Sequence, residues 1–102
     1  MASGQRILVT EPLSRDAIEW LSSRAVVQQI EVGDAGFEDA LHAATGLIVR
    51  TYTTVDNDLL DRAPMLRVVG RAGTGLDNID LVACRERGIE VVNAPHANRQ
   101  AV

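Results

Sequence analysis

The chain contains no lysine, one cysteine and only three aromatic residues in 102 positions. All ten of its basic side chains are therefore arginines, which excludes a Schiff-base lysine and the lysine of a phosphate-binding P-loop. Because a lone cysteine forms no intrachain disulfide, the sequence predicts a reducing, cytoplasmic location. No apolar run approaches the roughly 18 residues of a membrane span, and the first residues show no apolar leader. We expect an aliphatic core and no membrane partner.

The charge balance is acidic, with 14 acidic against 10 basic residues and a net charge of −4. This balance argues against nucleic acid as a partner, because the phosphate backbone binds basic surfaces. The length allows one compact domain with its own core. The composition therefore predicts a single compact, soluble domain without nucleic acid or an anionic membrane as its partner.

Short apolar runs rich in valine and isoleucine recur about every 20 residues and predict buried strands at 6–10, 25–31, 46–50, 66–70 and 89–93. Helical spacing of apolar residues lies between them, near 13–21, 37–44, 55–63 and 79–87. We interpret Asp77 as the N-terminal cap of the fourth helix and Gly88 as its end. Strands alternating with helices predict an α/β fold: a flavodoxin-like three-layer sandwich with a five-stranded parallel sheet, order 2-1-3-4-5, and helices on both faces.

Two arginines, Arg50 and Arg71, close the third and fourth predicted strands. In the predicted order these strands are neighbours, so both residues should reach the carboxyl edge, where parallel strands end and ligands bind. Gly73 and Gly75 follow at once and allow a ligand close to the backbone, at what we interpret as the start of a helix. The sequence predicts an anion site here. The alternative is that both arginines form ordinary surface ion pairs with the many acidic residues.

The stretch GTGLDN partly matches the dinucleotide fingerprint G-x-G-x-x-G. Its third glycine position is Asn78, it follows the fourth strand rather than the first, and Asn93 stands where an acidic residue is expected. We therefore do not expect this chain alone to bind a dinucleotide.

The remaining candidates have mainly structural interpretations. His42 fits a partly exposed helix position, and Cys84 fits a small core residue. His96 lies after strand five, either as a ligand contact or as plain loop, and Asn98 is either a helix cap or a ligand residue. The sequence shows no metal-ligand cluster and no catalytic triad.

The segments VVGRAGTGLDNIDLVACRERGIEVVNAPHAN and GLIVRTYTTV resemble the D-2-hydroxyacid dehydrogenases, and the likeness runs over about residues 7–102. The resemblance implies a substrate-binding domain at 1–98, followed at 99–102 by the start of a helix that leads to a Rossmann cofactor domain absent from these residues. It also implies a substrate-binding set (Arg50, Thr51, Arg71, Ala72, Gly73 and Asn98) and a nicotinamide contact at Thr74. Two positions depart from the family pattern, since Thr51 and Arg99 each replace a serine.

The resemblance implies oxidation of the C2 hydroxyl of a small phosphorylated 2-hydroxy acid, nearest to 3-phosphoglycerate, on the route to serine. NAD and the catalytic arginine, glutamate and histidine belong to the missing domain, so we expect no catalytic residue, no metal and no turnover in this chain alone. The full-length enzyme is expected to be a homo-oligomer. A dehydrogenase for another 2-hydroxy acid, NADP instead of NAD, and a stand-alone anion-binding or regulatory module stay open as alternatives.

Two other proteins of the same topology are disfavoured. A signalling receiver domain needs an aspartate where Arg50 stands and a lysine that the chain lacks. An FMN flavodoxin needs a phosphate loop rich in glycine and threonine after strand one, and residues 11–16 are not such a loop.

Overall fold

The computed structural model of the chain describes residues 5–73 and 75–93. The predictions made for Thr74, His96, Asn98 and Arg99 lie outside the described residues. So do the proposed domain boundary after residue 98 and the helix expected to follow it.

The five predicted strands are present and form one parallel sheet. Their order is β2-β1-β3-β4-β5, as predicted from the alternation of strands and helices. Each strand has four residues and is shorter than the apolar run that predicted it: β1 Arg6–Val9, β2 Val26–Gln29, β3 Gly46–Val49, β4 Val68–Arg71 and β5 Glu90–Asn93.

Helices cover the two faces of the sheet unequally. Three of them, α2 (Phe37–Ala43), α3 (Asn57–Asp61) and α4 (Leu81–Glu86), share one aliphatic core with alternate residues of the strands. The centre of that core consists of fully buried side chains, among them Phe37, Leu41, Leu47, Val49, Val69 and Cys84. The opposite face carries α1 (Arg15–Ser22), which has no fully buried residue. The predicted three-layer arrangement is therefore confirmed, with most of the core on one side.

The face that carries α1 is partly open. A cavity of about 470 Å³ lies between α1 and the sheet, with Ile7, Ile48, Val68 and Val92 among the sheet residues that line it. Trp20 also borders this cavity and is 58% exposed. The longest helix in the described residues, α1, has eight residues, and none of the described helices has the length and apolar character to cross a bilayer.

Side-chain caps begin three of the helices. The hydroxyl of Ser14 accepts a hydrogen bond from the N–H of Ala17 at the start of α1, and Asp56 caps α3 in the same way. Asp80, not Asp77, caps α4, accepting from the N–H of Ala83 at 2.9 Å. The prediction of Asp77 as this cap is wrong.

The reason lies in a contact between two loops. Val55 and Ile79 form a short parallel bridge, in which the N–H of Val55 donates to the carbonyl of Asn78 and the N–H of Asp80 donates to the carbonyl of Val55. This bridge holds the backbone extended, so the helix begins at Leu81. Two other expectations are confirmed: Gly88 has a positive φ of 71° just beyond α4, and His42 is exposed on α2.

Candidate functional site

The two arginines reach the same edge of the sheet. Strands β3 and β4 are parallel neighbours, and Val49 stands opposite Arg71. Arg50 therefore lies one residue further toward the carboxyl edge than Arg71. Within the described residues the ion pairs involve other arginines, Arg62 with Glu38 and Asp58, and Arg87 with Asp61. Neither Arg50 nor Arg71 is paired with a described carboxylate, so the surface ion-pair alternative is not what these residues show.

Arg50 uses only part of its donor set. Its side-chain Nη1 donates to the carbonyl of Pro12 at 3.0 Å. Its Nε is buried and has no acceptor among the described residues. A guanidinium carries five N–H donors, so the single described side-chain hydrogen bond leaves terminal N–H groups for an anionic acceptor.

Arg71 is buried, with 9% of its surface exposed. Its Nε donates to Oδ1 of Asn78 at 2.9 Å, a neutral partner that leaves the positive charge uncompensated. The guanidinium lies against Gly73, because a Cβ built on that glycine would stand 2.5 Å from Nη1 of Arg71. A side chain at this position would therefore displace the end of the Arg71 side chain, and the φ of 143° itself favours glycine.

The cavities at this edge do not combine the two arginines. Arg50 lines a cavity of about 560 Å³ with residues 51–53 and the loop after β1. Arg71 and Ala72 line the cavity beside α1. The shared notch expected from the sequence therefore stays a prediction, although both residues stand on one edge.

The resemblance implies that the backbone N–H groups of Ala72 and Gly73 face a ligand, and the structure shows how each is bonded without one. The N–H of Ala72 donates to the carbonyl of Val49 at 2.9 Å, as part of the sheet. It would have to leave that bond before it could bind a ligand. The N–H of Gly73 has no acceptor among the described residues. Of these two residues, Gly73 has a backbone donor not used within the described residues, and the role of Ala72 at a ligand stays a prediction.

The sequence predicts that the glycine turn opens a helix, and this prediction is wrong. The helix α4 begins only at Leu81, after the bridge at Ile79, and its first turn is already capped by the carboxylate of Asp80. A helix N-terminus therefore adds nothing to anion binding here. The positive character of the edge comes from the guanidinium groups.

Glu11, which the sequence analysis did not single out, organises the loop after β3. Its carboxylate accepts hydrogen bonds from four successive backbone N–H groups, those of residues 50–53, at 2.7–3.0 Å. We call these four N–H groups the amide cluster. Four convergent N–H groups are a natural anion site, and here the anion is a side chain of the chain itself. Thr51 thus has only its exposed hydroxyl left for a ligand.

The electrostatics of Glu11 follow from this arrangement. Burial alone raises the pKa of the Glu11 carboxyl, but the hydrogen bonds from the amide cluster and from the Thr53 hydroxyl outweigh burial. The net result is a pKa below the ordinary value of 4.5. The carboxylate is therefore charged at neutral pH, and in this structure it fills the amide cluster.

Asn78 is the second residue that the sequence analysis did not assign to the site. Its amide nitrogen donates to the carbonyls of Arg50 and Thr53 at 2.8 and 2.7 Å, while its oxygen accepts from Arg71. A buried bond between the hydroxyls of Thr10 and Thr53, 2.7 Å long, fastens the end of the same loop. The only sequence signal for these roles was the position of Glu11 shortly after β1, since Asn78 lies well beyond the end of β4.

A glycine-to-alanine pair tests the contact between Arg71 and the turn. Both Gly73 and Gly75 have positive φ, so alanine at either position should cost about 1–3 kcal/mol in backbone strain. Only Gly73→Ala places a Cβ against Nη1 of Arg71, whereas Gly75 has open space. We expect Gly73→Ala, but not Gly75→Ala, to shift the Nε–Hε resonance of Arg71 in an NMR spectrum. Equal shifts in both variants would contradict the close contact.

The tip of β5 lacks one feature of a dinucleotide site. Asn93, at the tip of β5, is neutral and donates its side-chain N–H to the carbonyl of Gly75, so no acidic group is present there for a ribose hydroxyl. The described residues also contain no group of histidine, cysteine or acidic side chains arranged to hold a metal. Cys84 is fully buried, and burial raises the pKa of its thiol, with Asp80 adding to the rise. It is a core residue, as predicted.

The topology and this edge define the class of protein as a flavodoxin-like α/β domain with arginines at the carboxyl ends of adjacent strands. The sequence profile of the family described as "D-isomer specific 2-hydroxyacid dehydrogenase, catalytic domain" matches residues 7–102. The chain belongs to this family, which confirms the resemblance drawn from the sequence motifs.

Individual proteins are similar to this chain in sequence and in structure. The D-3-phosphoglycerate dehydrogenase of Methanocaldococcus jannaschii is 44% identical over 101 residues, covering 95% of this chain and 19% of that enzyme. A crystal structure of a protein from Pyrococcus horikoshii OT3 superposes with a TM-score of 0.80 at 28% identity, covering 88% of this chain and 27% of the other. An NADPH-dependent glyoxylate/hydroxypyruvate reductase from Sinorhizobium meliloti, solved with NADP and malonate, gives 0.75 at 30% identity, covering 91% and 29%. The chain spans about a fifth of the length of the curated relatives it matches.

Proposed function

We propose that this chain is the substrate-binding domain of an NAD-dependent D-3-phosphoglycerate dehydrogenase, which oxidises the C2 hydroxyl of 3-phosphoglycerate in the first step of L-serine biosynthesis. The observation that carries the proposal is the carboxyl edge, where Arg50 and Arg71 lack carboxylate partners among the described residues. Curated relatives that carry this enzyme name, 37–44% identical over most of the chain, support the choice of substrate.

The proposed division of labour assigns recognition to this domain. The two guanidinium groups would bind the substrate phosphate by charge-assisted hydrogen bonds, and the N–H of Gly73 would face the carboxylate. Thr51 would add its hydroxyl, and Thr74 and Asn98 keep the cofactor and cleft roles implied by the family, outside the described residues. The domain is proposed to extend over residues 1–98.

The reaction needs chemistry that the described residues do not supply. When bound, NAD accepts a hydride at its nicotinamide ring, and we assign the cofactor and the acid–base group to a Rossmann domain of the full-length enzyme. We therefore expect the 102-residue chain, mixed with NAD and 3-phosphoglycerate, to form no NADH. Measurable NADH formation at 340 nm would contradict this expectation and move catalysis into the chain itself.

The binding test uses isotope-labelled chain titrated with 3-phosphoglycerate. We expect amide shifts at 50–53 and 71–73, and Arg71→Ala should weaken binding by at least about tenfold, since hydrogen bonds to charged groups contribute roughly 1.5–3 kcal/mol. Arg67→Ala is the matched control, because Arg67 is an exposed arginine at the other end of β4. Equal weakening by the two substitutions, or shifts elsewhere in the sheet, would refute the proposed site.

A second candidate is a reductase for an unphosphorylated 2-oxo acid, and the likeness to the Sinorhizobium meliloti enzyme favours it. The same titration with hydroxypyruvate and glyoxylate separates the two functions. A phosphate-directed site should respond more strongly to 3-phosphoglycerate than to D-glycerate, which lacks only the phosphate. Equal responses to these two ligands would favour the second candidate.

A further inference from the structure

The loop that carries Arg50 is fixed from two sides. Glu11 holds it through the amide cluster, as described above, while the amide nitrogen of Asn78 holds it through the carbonyls of Arg50 and Thr53. Among the described residues, the side chain of Asn78 thus joins this loop to Arg71 at the end of β4. This side chain is not used for helix capping, because Asp80 performs that role.

The neutral side-chain amide of Asn78 can fix the orientation of the Arg71 guanidinium without compensating its positive charge. Its oxygen accepts from Nε of Arg71 and leaves the terminal nitrogens of the guanidinium to other acceptors. A carboxylate at this position would bind Arg71 as well but would cancel its charge, and it would face the carbonyls of Arg50 and Thr53 with a second oxygen. The side-chain amide meets both requirements, because it offers one acceptor and two donors in one plane.

We infer that Asn78 is a positioning residue that sets Arg71 and the loop of Arg50 in one arrangement, so that both arginines engage the phosphate of a single ligand. The inference rests on the proposed function. It adds a residue that does not touch the ligand itself and acts through Arg71 and the loop.

The matched control is Asn93. It is also an asparagine beside the glycine turn, and its amide nitrogen donates to the carbonyl of Gly75 at 2.8 Å. Its backbone stands opposite that of Arg71 in the sheet, but its side chain makes no described hydrogen bond to either arginine. Asn93→Ala therefore removes the same kind of side chain and one anchor of the turn. Any effect specific to Asn78→Ala reports on the arginines.

The first measurement needs no ligand. Exchange of the Arg71 Nε–Hε proton with water, followed by NMR, should be at least about tenfold faster in Asn78→Ala, because its only described acceptor is lost. Asn93→Ala should match the unsubstituted chain. Unchanged exchange in Asn78→Ala would overturn the inference whatever the ligand data show.

The second measurement titrates 3-phosphoglycerate into the same proteins. Asn78→Ala should weaken binding by about tenfold, and the double variant Asn78→Ala with Arg71→Ala should lose less than the two single losses combined, since part of the effect of Asn78 passes through Arg71. Additive losses in the double variant would overturn the inference and leave the proposed function intact. Absence of binding to the unsubstituted chain would overturn both.

A third variant covers the case in which Asn78→Ala fails to fold. Asn78→Asp keeps the acceptor for Nε of Arg71 but adds a negative charge beside it. Protection of the Nε–Hε proton should be retained while affinity for 3-phosphoglycerate falls by at least about tenfold, because the charge of Arg71 is compensated. Affinity equal to that of the unsubstituted chain would contradict the inference.

Discussion

Replacing Glu11 by alanine should lower the free energy of unfolding by about 3 kcal/mol, because the amide cluster loses its acceptor while Thr53 stays buried. Glu11→Gln should lose roughly half as much, since one carboxamide oxygen can still accept two hydrogen bonds. Chemical denaturation followed by circular dichroism measures both losses. Glu31→Ala is the control. It removes an exposed carboxylate that lines the cavity of Arg50, as Glu11 does, and it should change the free energy of unfolding little.

The same site predicts how stability depends on pH. The pKa of Glu11 is lower in the folded protein than its ordinary value of 4.5. Its contribution to stability is therefore complete above that value and is lost as the pH falls through the folded-state pKa. Glu11→Ala should flatten this acid limb of the stability curve. A variant that keeps the full acid dependence would assign it to other carboxylates.

Emptying the amide cluster should also create an anion site that the unsubstituted chain lacks. Acetate or phosphate should raise the melting temperature of Glu11→Ala more than that of the unsubstituted chain, because four N–H groups then await an acceptor. Equal stabilisation of both proteins would mean that the loop rearranges once Glu11 is removed.

Replacing Phe37 by alanine should destabilise the protein by about 3–5 kcal/mol, the loss expected when a buried aromatic ring is deleted. Phe37 is 2% exposed and lies in the core beneath α2, with Leu41 in the same cluster. The cavity left behind cannot close easily, because the surrounding residues belong to three helices and the sheet.

Trp20→Ala provides the matched aromatic control. Trp20 is 58% exposed, and its main described partner is the guanidinium of Arg24, 3.9 Å from the ring centre. An exposed cation–π contact contributes about 0.5–1 kcal/mol, so the loss should be near that value. If the two substitutions cost the same, the assignment of the core to the α2–α4 face would be wrong.

Much of the fold could be predicted because it depends on local patterns. Runs such as GLIVR mark buried parallel strands, and their alternation with helices leaves few topologies once right-handed crossovers are required. The start of α4 could not be predicted in this way. It depends on the bridge between Val55 and Ile79, a contact between loops that no local pattern reveals.

In the candidate site, too, residues placed by local patterns could be predicted, and residues placed by contacts between distant segments could not. Arg50 and Arg71 could be placed because strand ends in a parallel sheet share an edge. Glu11 could not be assigned, since its partners lie 39–42 residues away and are backbone N–H groups with no signature in the sequence. In the sequence, Asn78 stands out only as the residue at the third glycine position of the dinucleotide fingerprint. Its three hydrogen bonds depend on how the loops after β3 and β4 pack together.

The bridge between Val55 and Ile79 has a consequence for recognition. Together with Glu11 and Asn78 it ties the segments after β3 and β4 to each other before any ligand arrives. These loops therefore lose their conformational freedom when the protein folds, so ordering them adds little to the free-energy cost of binding an anion. Association should then resemble rigid docking, with selectivity decided by the fixed spacing of charges.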